Sequence, residues 1–272
     1  MTDLTDKYRS LKEYLAEHGS VAVAFSAGVD STLLLAVAHE VLGDDAVALT
    51  AISPANPIRE VDQSSAFCAE RGIRQIAFDV NELEIDGFDH NPENRCYICK
   101  RHLFEEMKRR AQDEGLSYVA EGSNVDDLGD YRPGTQALKE LGIASPLLEC
   151  GFTKHDIREL SKRLGLPTWN KPSFACLYTR FAYGELITSE RLRAIDASEQ
   201  FLIERGYRTV RVRLGDNGAT ARIELAPDEV AKAASDAERA RIVSAFKQIG
   251  FTYVTIDLQG YRTGSMNETR GE

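Results

Sequence analysis

The chain has 272 residues, 43% of them hydrophobic, with 43 acidic against 33 basic side chains and a net charge of -10. That length and apolar content can bury a substantial core in one large domain or two, and the acidic balance disfavours a nucleic-acid partner, because binding to phosphate backbones rests on clustered lysine and arginine. No apolar stretch approaches the length of a membrane span and the N-terminus lacks the basic and apolar regions of a secretory signal, so no membrane partner and a cytoplasmic location are expected.

Leu4, Leu11 and Leu15 recur at helical spacing and predict a helix over 4–18. Val21-Ala-Val-Ala-Phe25 is the short apolar run of a buried parallel strand, and residues 32–42 carry Leu, Ala and Val at helical spacing. Between them Ser26, Gly28, Asp30 and Ser31 form a tight polar turn, where backbone N–H groups and the positive end of a helix dipole converge. That is an anion site. The common phosphate-binding loop would end in Gly-Lys-Ser/Thr, whereas this one has no lysine and puts an aspartate at the helix start. The plain alternative is a strand-to-helix turn in which Asp30 or Ser31 only caps the helix.

Strand and helix then alternate: a strand over 47–52, a helix around 58–71 and a strand over 76–80, the signature of βαβ units. Ser53 follows the second strand on the side of the anion loop, which suits an adenine and ribose pocket at the carboxyl ends of the strands. A strand over 118–122 runs into a loop dense in carboxylates, in which Asp126, Asp127 and Asp130 offer the hard oxygen ligands of Mg²⁺; the alternative is a solvated turn.

Ser26-Ala-Gly-Val-Asp-Ser31 resembles the SGGxDS motif of the PP-loop ATP pyrophosphatases, with Ala27 standing where the pattern usually has glycine. The resemblance implies a parallel sheet flanked by helices that binds ATP with Mg²⁺, splits it between the α and β phosphates and adenylates a carbonyl or carboxylate oxygen. It carries the ATP-binding role onto Ser26, Gly28, Val29, Asp30, Ser31, Thr32, Ser53 and Gly122. Further segments narrow it. Glu121-Gly-Ser-Asn-Val-Asp-Asp127, Asp130-Tyr-Arg-Pro-Gly134, Thr153-Lys154, Leu166-Pro-Thr-Trp-Asn-Lys-Pro-Ser173, Arg211-Val-Arg213 and Gly260-Tyr-Arg-x-Gly-Ser-Met266 look like the LarE-type ATP-dependent sulfur transferases, in register over nearly the whole chain. That family makes the nickel-pincer nucleotide, the lactate racemase cofactor, by adenylating a carboxylate of pyridinium-3,5-dicarboxylate mononucleotide and converting it to a thiocarboxylate.

The five cysteines, Cys68, Cys96, Cys99, Cys150 and Cys176, are an odd number, which favours thiol chemistry or metal binding over a disulfide framework. Cys176 lies between Lys171 and Arg180, and nearby positive charge favours the thiolate that attacks an acyl adenylate. In the simplest family mechanism Cys176 gives up its own sulfur and becomes dehydroalanine. Cys68 and Cys150 read as inert, buried thiols. Cys96 and Cys99 have Cys-x-x-Cys spacing, and with Cys176 as third ligand they make a candidate [4Fe–4S] site of the kind held by three-cysteine relatives; the alternative is a structural pair with no cluster.

After Thr188 one helix over 189–205 is followed by strands near 209–214 and 220–225, two short alanine-rich helices within 227–249 and a strand over 253–258. A PP-loop domain over 1–180 and a smaller α+β domain over 181–272, for substrate binding or assembly into a homo-oligomer, are expected. Glu199 falls in the middle of the apolar stripe of its helix and needs a partner: Mg²⁺, the substrate, or an arginine. Arg211 and Arg213 point from one face of their strand, which suits the phosphate of a mononucleotide; the alternative is pairing with Glu224. Two other functions stay open, a tRNA-thiolating enzyme with an added basic surface and a non-catalytic adenine-nucleotide-binding module.

Overall fold

The computed structural model of the protein describes residues 3–129, 133–172 and 175–262. The chain divides into two compact units, Met1–Glu82 with Asn94–Phe174, and Leu83–Glu93 with Ala175–Glu272.

The first unit alternates helix and strand. Helix α1 (Leu4–His18) buries Leu11 and Leu15 and precedes β1 (Val21–Ala24), α2 (Val29–Leu42), β2 (Ala46–Ile52), α3 (Ile58–Arg71) and β3 (Arg74–Asp79). Helix α4 (Arg95–Asp113) leads to the short β4 (Val119–Ala120), then α5 (Pro133–Leu141), α6 (Pro146–Glu149) and α7 (Lys154–Arg163). All strand pairs are parallel in the order β3-β2-β1-β4, and a parallel bridge from Ala120 to Ala144 continues beyond β4. The order reverses beside β1, so the crevice at the carboxyl end of that strand is where an α/β sheet of this kind receives its ligand. Two apolar layers cover the sheet. Leu33, Leu34, Leu35, Phe67 and Leu160 pack on one side, and Phe78, Phe104, Met107 and Leu138 on the other. Helix α2 is apolar nearly all round, as a helix sealed between sheet and neighbours must be.

In the second unit α8 (Ser189–Glu204) packs on β5 (Val210–Gly215), which pairs antiparallel with β6 (Thr220–Leu225). The short α9 (Val230–Ala234) and then α10 (Asp236–Ile249) return the chain to β7 (Tyr253–Ile256), parallel to β6. Val210, Val212, Ile223, Leu225, Phe246 and Phe251 form its core. Gly260, at φ 70, brings the following chain against β6: Tyr261 N–H donates to Leu225 O at 2.7 Å, and a Cβ at 260 would lie 2.7 Å from that oxygen. Only glycine fits there, which accounts for the Gly-Tyr-Arg start of the tail motif. Its Gly264-Ser-Met266 lies outside the described residues.

Residues 83–93 join this unit although the sequence gives no sign of it. The buried Asn91 amide donates to the carbonyls of Phe181 and Ala182 at 3.1 and 2.6 Å, Ile187 N–H donates to Asp89 O at 2.7 Å, and Phe88 meets Tyr178 edge-on. Among the described residues no helix is long and apolar enough to cross a membrane.

Candidate functional site

The turn between β1 and α2 has the strand-to-helix form that its sequence predicts. Its N-cap, Gly28, has no side chain to cap the helix, and a helix leaves its first N–H groups without intrahelical partners. Ser26 and Ser31 face each other across the turn, Oγ to Oγ at 3.3 Å, and Ser31 Oγ donates to Gly28 O at 3.4 Å. Ala27 holds φ 53, the left-handed region where the motif's usual glycine is at ease and an alanine is strained. Gly122, after β4, presses on the helix start: a Cβ there would stand 3.1 Å from both Asp30 Cβ and Ser31 N.

Two residues of the expected ATP contacts face inward instead. Val29 is 4% exposed and belongs to the core. Thr32 is fully buried and its N–H donates to Gly28 O at 3.0 Å, so helix geometry removes it from the surface of the loop. Ser53 is also committed locally, its hydroxyl donating to Glu82 Oε2 at 2.6 Å and accepting from Ala55 N–H.

The loop itself has no lysine, but the fold brings it two from distant sequence. Lys154, the first residue of α7, donates to both Asp30 carboxylate oxygens at 2.7 and 2.5 Å. Lys171 donates to Ala27 O at 3.0 Å. Both lie far from the turn in sequence, and no spacing within its six residues announces these partners. The carboxylates of the acidic loop have backbone donors: Asp127 Oδ2 accepts from Asn124 N–H at 3.0 Å within the loop, and Asp126 Oδ2 accepts from Lys154 N–H of α7 at 2.7 Å. Asp130 lies outside the described residues. Among the described residues no group of three or more His, Cys, Asp or Glu side chains could hold a metal ion. Magnesium carried by a nucleotide needs only one or two protein carboxylates beside the phosphates, and Asp30 at the start of α2 is a carboxylate that fits that role.

Cys96 and Cys99 sit three apart in the first turns of α4, a spacing that puts them on one helix face. Cys99 Sγ donates to Glu82 Oε1 at 3.6 Å, so the buried Glu82, unforeseen from sequence, holds both Ser53 and Cys99. Burial pushes the thiols of Cys68 and Cys150 up to about 11, with Glu149 adding to the effect at Cys150, as suits inert positions.

In the second unit Cys176 is exposed and caps a short 3-10 turn, Leu177–Arg180. Arg180 reaches back to hold it: Nη1 donates to Ala175 O at 3.2 Å, Cys176 O at 3.4 Å and Thr179 Oγ1 at 2.6 Å. The other edge of that guanidinium makes a bidentate pair with Glu199, at 2.7 and 3.0 Å, with side-chain exposures of 1% and 0%. Val212 N–H also donates to Glu199 Oε1 at 2.9 Å. Of the partners expected for Glu199, Mg²⁺, the substrate or an arginine, it has the arginine: both oxygens are bonded by Arg180, and through it they support the backbone of Cys176. Arg213 donates to Glu224 Oε1 at 2.6 Å and to Thr179 O at 2.6 Å, so the cross-strand pairing exists. Arg211 is 4% exposed and lies over the Tyr261 ring, 5.1 Å from its centroid. Burial and then the neighbouring Arg180 push its guanidinium below the usual range, against a raising effect of Glu199.

No family model matches the chain. It is 43% identical over 264 residues to an uncharacterised protein of Synechocystis, covering 97% of this chain and 98% of that one. It is 34% identical over 270 residues to the pyridinium-3,5-bisthiocarboxylic acid mononucleotide synthase of Lactiplantibacillus plantarum, covering 99% of this chain and 96% of the synthase. The chain belongs to the LarE-type family. A more distant match, 24% identical over 188 residues, is to the glutamine-hydrolysing GMP synthase of Aeropyrum pernix and covers 62% of this chain and 36% of that protein.

Proposed function

We propose that this LarE-type protein uses ATP to adenylate a carboxylate of pyridinium-3,5-dicarboxylate mononucleotide and converts it to a thiocarboxylate, a step toward the nickel-pincer nucleotide of lactate racemase. The observation that carries the reading is the exposed Cys176, with its backbone clamped by a buried arginine, in a chain that matches the synthase from end to end. The N–H groups at the start of α2, with Ser26, Gly28 and Ser31, receive the phosphates. Asp30, now paired with Lys154, is the carboxylate that would hold the magnesium accompanying them, and the Lys154 ammonium beside it would serve a phosphate oxygen. Bound magnesium would neutralise phosphate charge as the pyrophosphate leaves.

The Cys176 thiolate then attacks the acyl adenylate carbonyl; a C–S bond forms, and the C–O bond to AMP breaks. A base removes the Cys176 α-proton, the Cβ–S bond breaks, and the substrate departs as a thiocarboxylate while dehydroalanine remains at 176. Arg211 and Arg213 hold the mononucleotide phosphate. A guanidinium whose positive charge is disfavoured by burial gains from an incoming anion, and an arginine already paired with Glu224 can exchange that partner.

A second reading has one observation in its favour, the shared helix face of Cys96 and Cys99. In that reading Cys96, Cys99 and Cys176 would be the three ligands of a [4Fe–4S] cluster, which would supply the sulfur from an external source and spare Cys176. Intact mass before and after turnover separates the two. The single-use reading expects loss of about one H₂S equivalent from the chain, located at Cys176 by peptide mapping. Cys176→Ala should release pyrophosphate and accumulate the acyl adenylate without forming thiocarboxylate; full sulfur transfer by that variant would remove this cysteine from the mechanism.

A further inference from the structure

The strained Ala27 is held by a side chain 144 residues away. Lys171 follows a turn closed by its own N–H donating to Thr168 O at 3.0 Å, and Arg158 of α7 fixes the backbone there by donating to Trp169 O at 2.8 Å and Lys171 O at 2.9 Å. The backbone of this segment is therefore set before its side chain is placed. The Lys171 side chain is 13% exposed, and its ammonium has three acceptors: Glu60 Oε2 at 2.6 Å, Gln63 Oε1 at 2.6 Å and Ala27 O at 3.0 Å. An ammonium carries three protons, so the set is complete. Glu60 and Gln63, one turn apart on α3, aim the third proton at Ala27.

Ala27 is 2% exposed with φ 53, a conformation that an alanine adopts only when its surroundings impose it. The peptide leaving Ala27 carries its carbonyl to Lys171 and its N–H, that of Gly28, on the opposite side of the same plane. We infer that Lys171 is a positioning residue for the nucleotide loop: by holding the Ala27 carbonyl it fixes the left-handed turn that sets the N–H groups ahead of α2. The inference rests on the reading of that loop as the ATP site. It makes Lys171 a replacement for the glycine that the motif would otherwise have, since glycine keeps a positive φ without help.

The test is a double-mutant cycle on ATP affinity, measured by calorimetry with Mg²⁺ and no mononucleotide, so that no turnover occurs. K171M should weaken ATP binding about tenfold, the scale of one lost charge-assisted hydrogen bond. In the A27G background the same substitution should cost less than about threefold, because glycine holds the turn unaided. A K171M penalty of equal size in both backgrounds, or no penalty in either, overturns the inference; the first result would mean that the ammonium touches phosphate or serves only stability. Urea unfolding of each variant separates loss of fold from loss of affinity. Should K171M not fold, E60Q, which loosens the anchor of the ammonium, takes its place with the same cycle and the same criterion. Wild-type protein that binds no ATP would refute the loop's assignment and this inference with it, whereas a failed cycle with normal wild-type affinity refutes the inference alone.

Discussion

Glu199 shows what a helical wheel reads and what it does not. Leu192, Ile195 and Leu202 place it inside, and a buried carboxylate must be paired. Which partner it takes is decided by Arg180, 19 residues earlier, on a turn whose position no periodicity reveals. Removing one member of a buried pair leaves the other charge uncompensated, so Glu199→Ala should lower the unfolding free energy by about 3–5 kcal/mol. Urea denaturation checks this. An unshifted midpoint would mean that Arg180 finds another partner, and Glu199→Gln, which can still accept from Val212 N–H, should lose less.

At the scale of an element, α7 begins with a capping box that also serves the turn at the start of α2. Thr153 Oγ1 accepts from Asp156 N–H, Asp156 Oδ2 accepts from Thr153 N–H at 2.9 Å, and Lys7 donates to Asp156 at 2.6 Å. The helix so started carries Lys154 at its first position, bonded to Asp30. Burial would raise the Asp156 carboxyl, but the hydrogen bonds from Lys7 and Thr153 outweigh it and hold it at about 2. A carboxyl lowered on folding stabilises the protein above its unfolded value near 3.9, and that contribution fades as pH falls toward the folded value. The stability gap between wild type and Asp156→Ala, measured in urea from pH 6 to pH 3, should therefore narrow below about pH 4.5. A gap independent of pH would show that the carboxylate charge contributes nothing to the cap.

At the scale of the whole molecule the two readings of Cys176 differ in the fate of its sulfur. Cys96 and Cys99 belong to the first compact unit and Cys176 to the second. With Cys176 as a single-use donor, anaerobic reconstitution with iron and sulfide should leave the protein colourless. A brown product with about four irons per chain, lost when Cys96, Cys99 or Cys176 is replaced by alanine, would establish the cluster and multiple turnovers.

The sequence by itself determined the alternation of strand and helix in the first unit, because apolar runs of period 2 and 3.6 report burial locally; α1 and α3 there, and β6 in the second unit, begin and end where their patterns do. It also determined the strand-to-helix turn between β1 and α2, since consecutive residues build it. Tertiary structure alone decided everything that depends on residues far apart in the chain. It gave Lys154 to Asp30, Lys171 to Ala27, Arg180 to Glu199 and Glu82 to both Ser53 and Cys99. It also drew residues 83–93 into the second unit. A charged side chain chooses its partner by where packing leaves it, and that information is carried by the folded core, not by the spacing of residues along the chain.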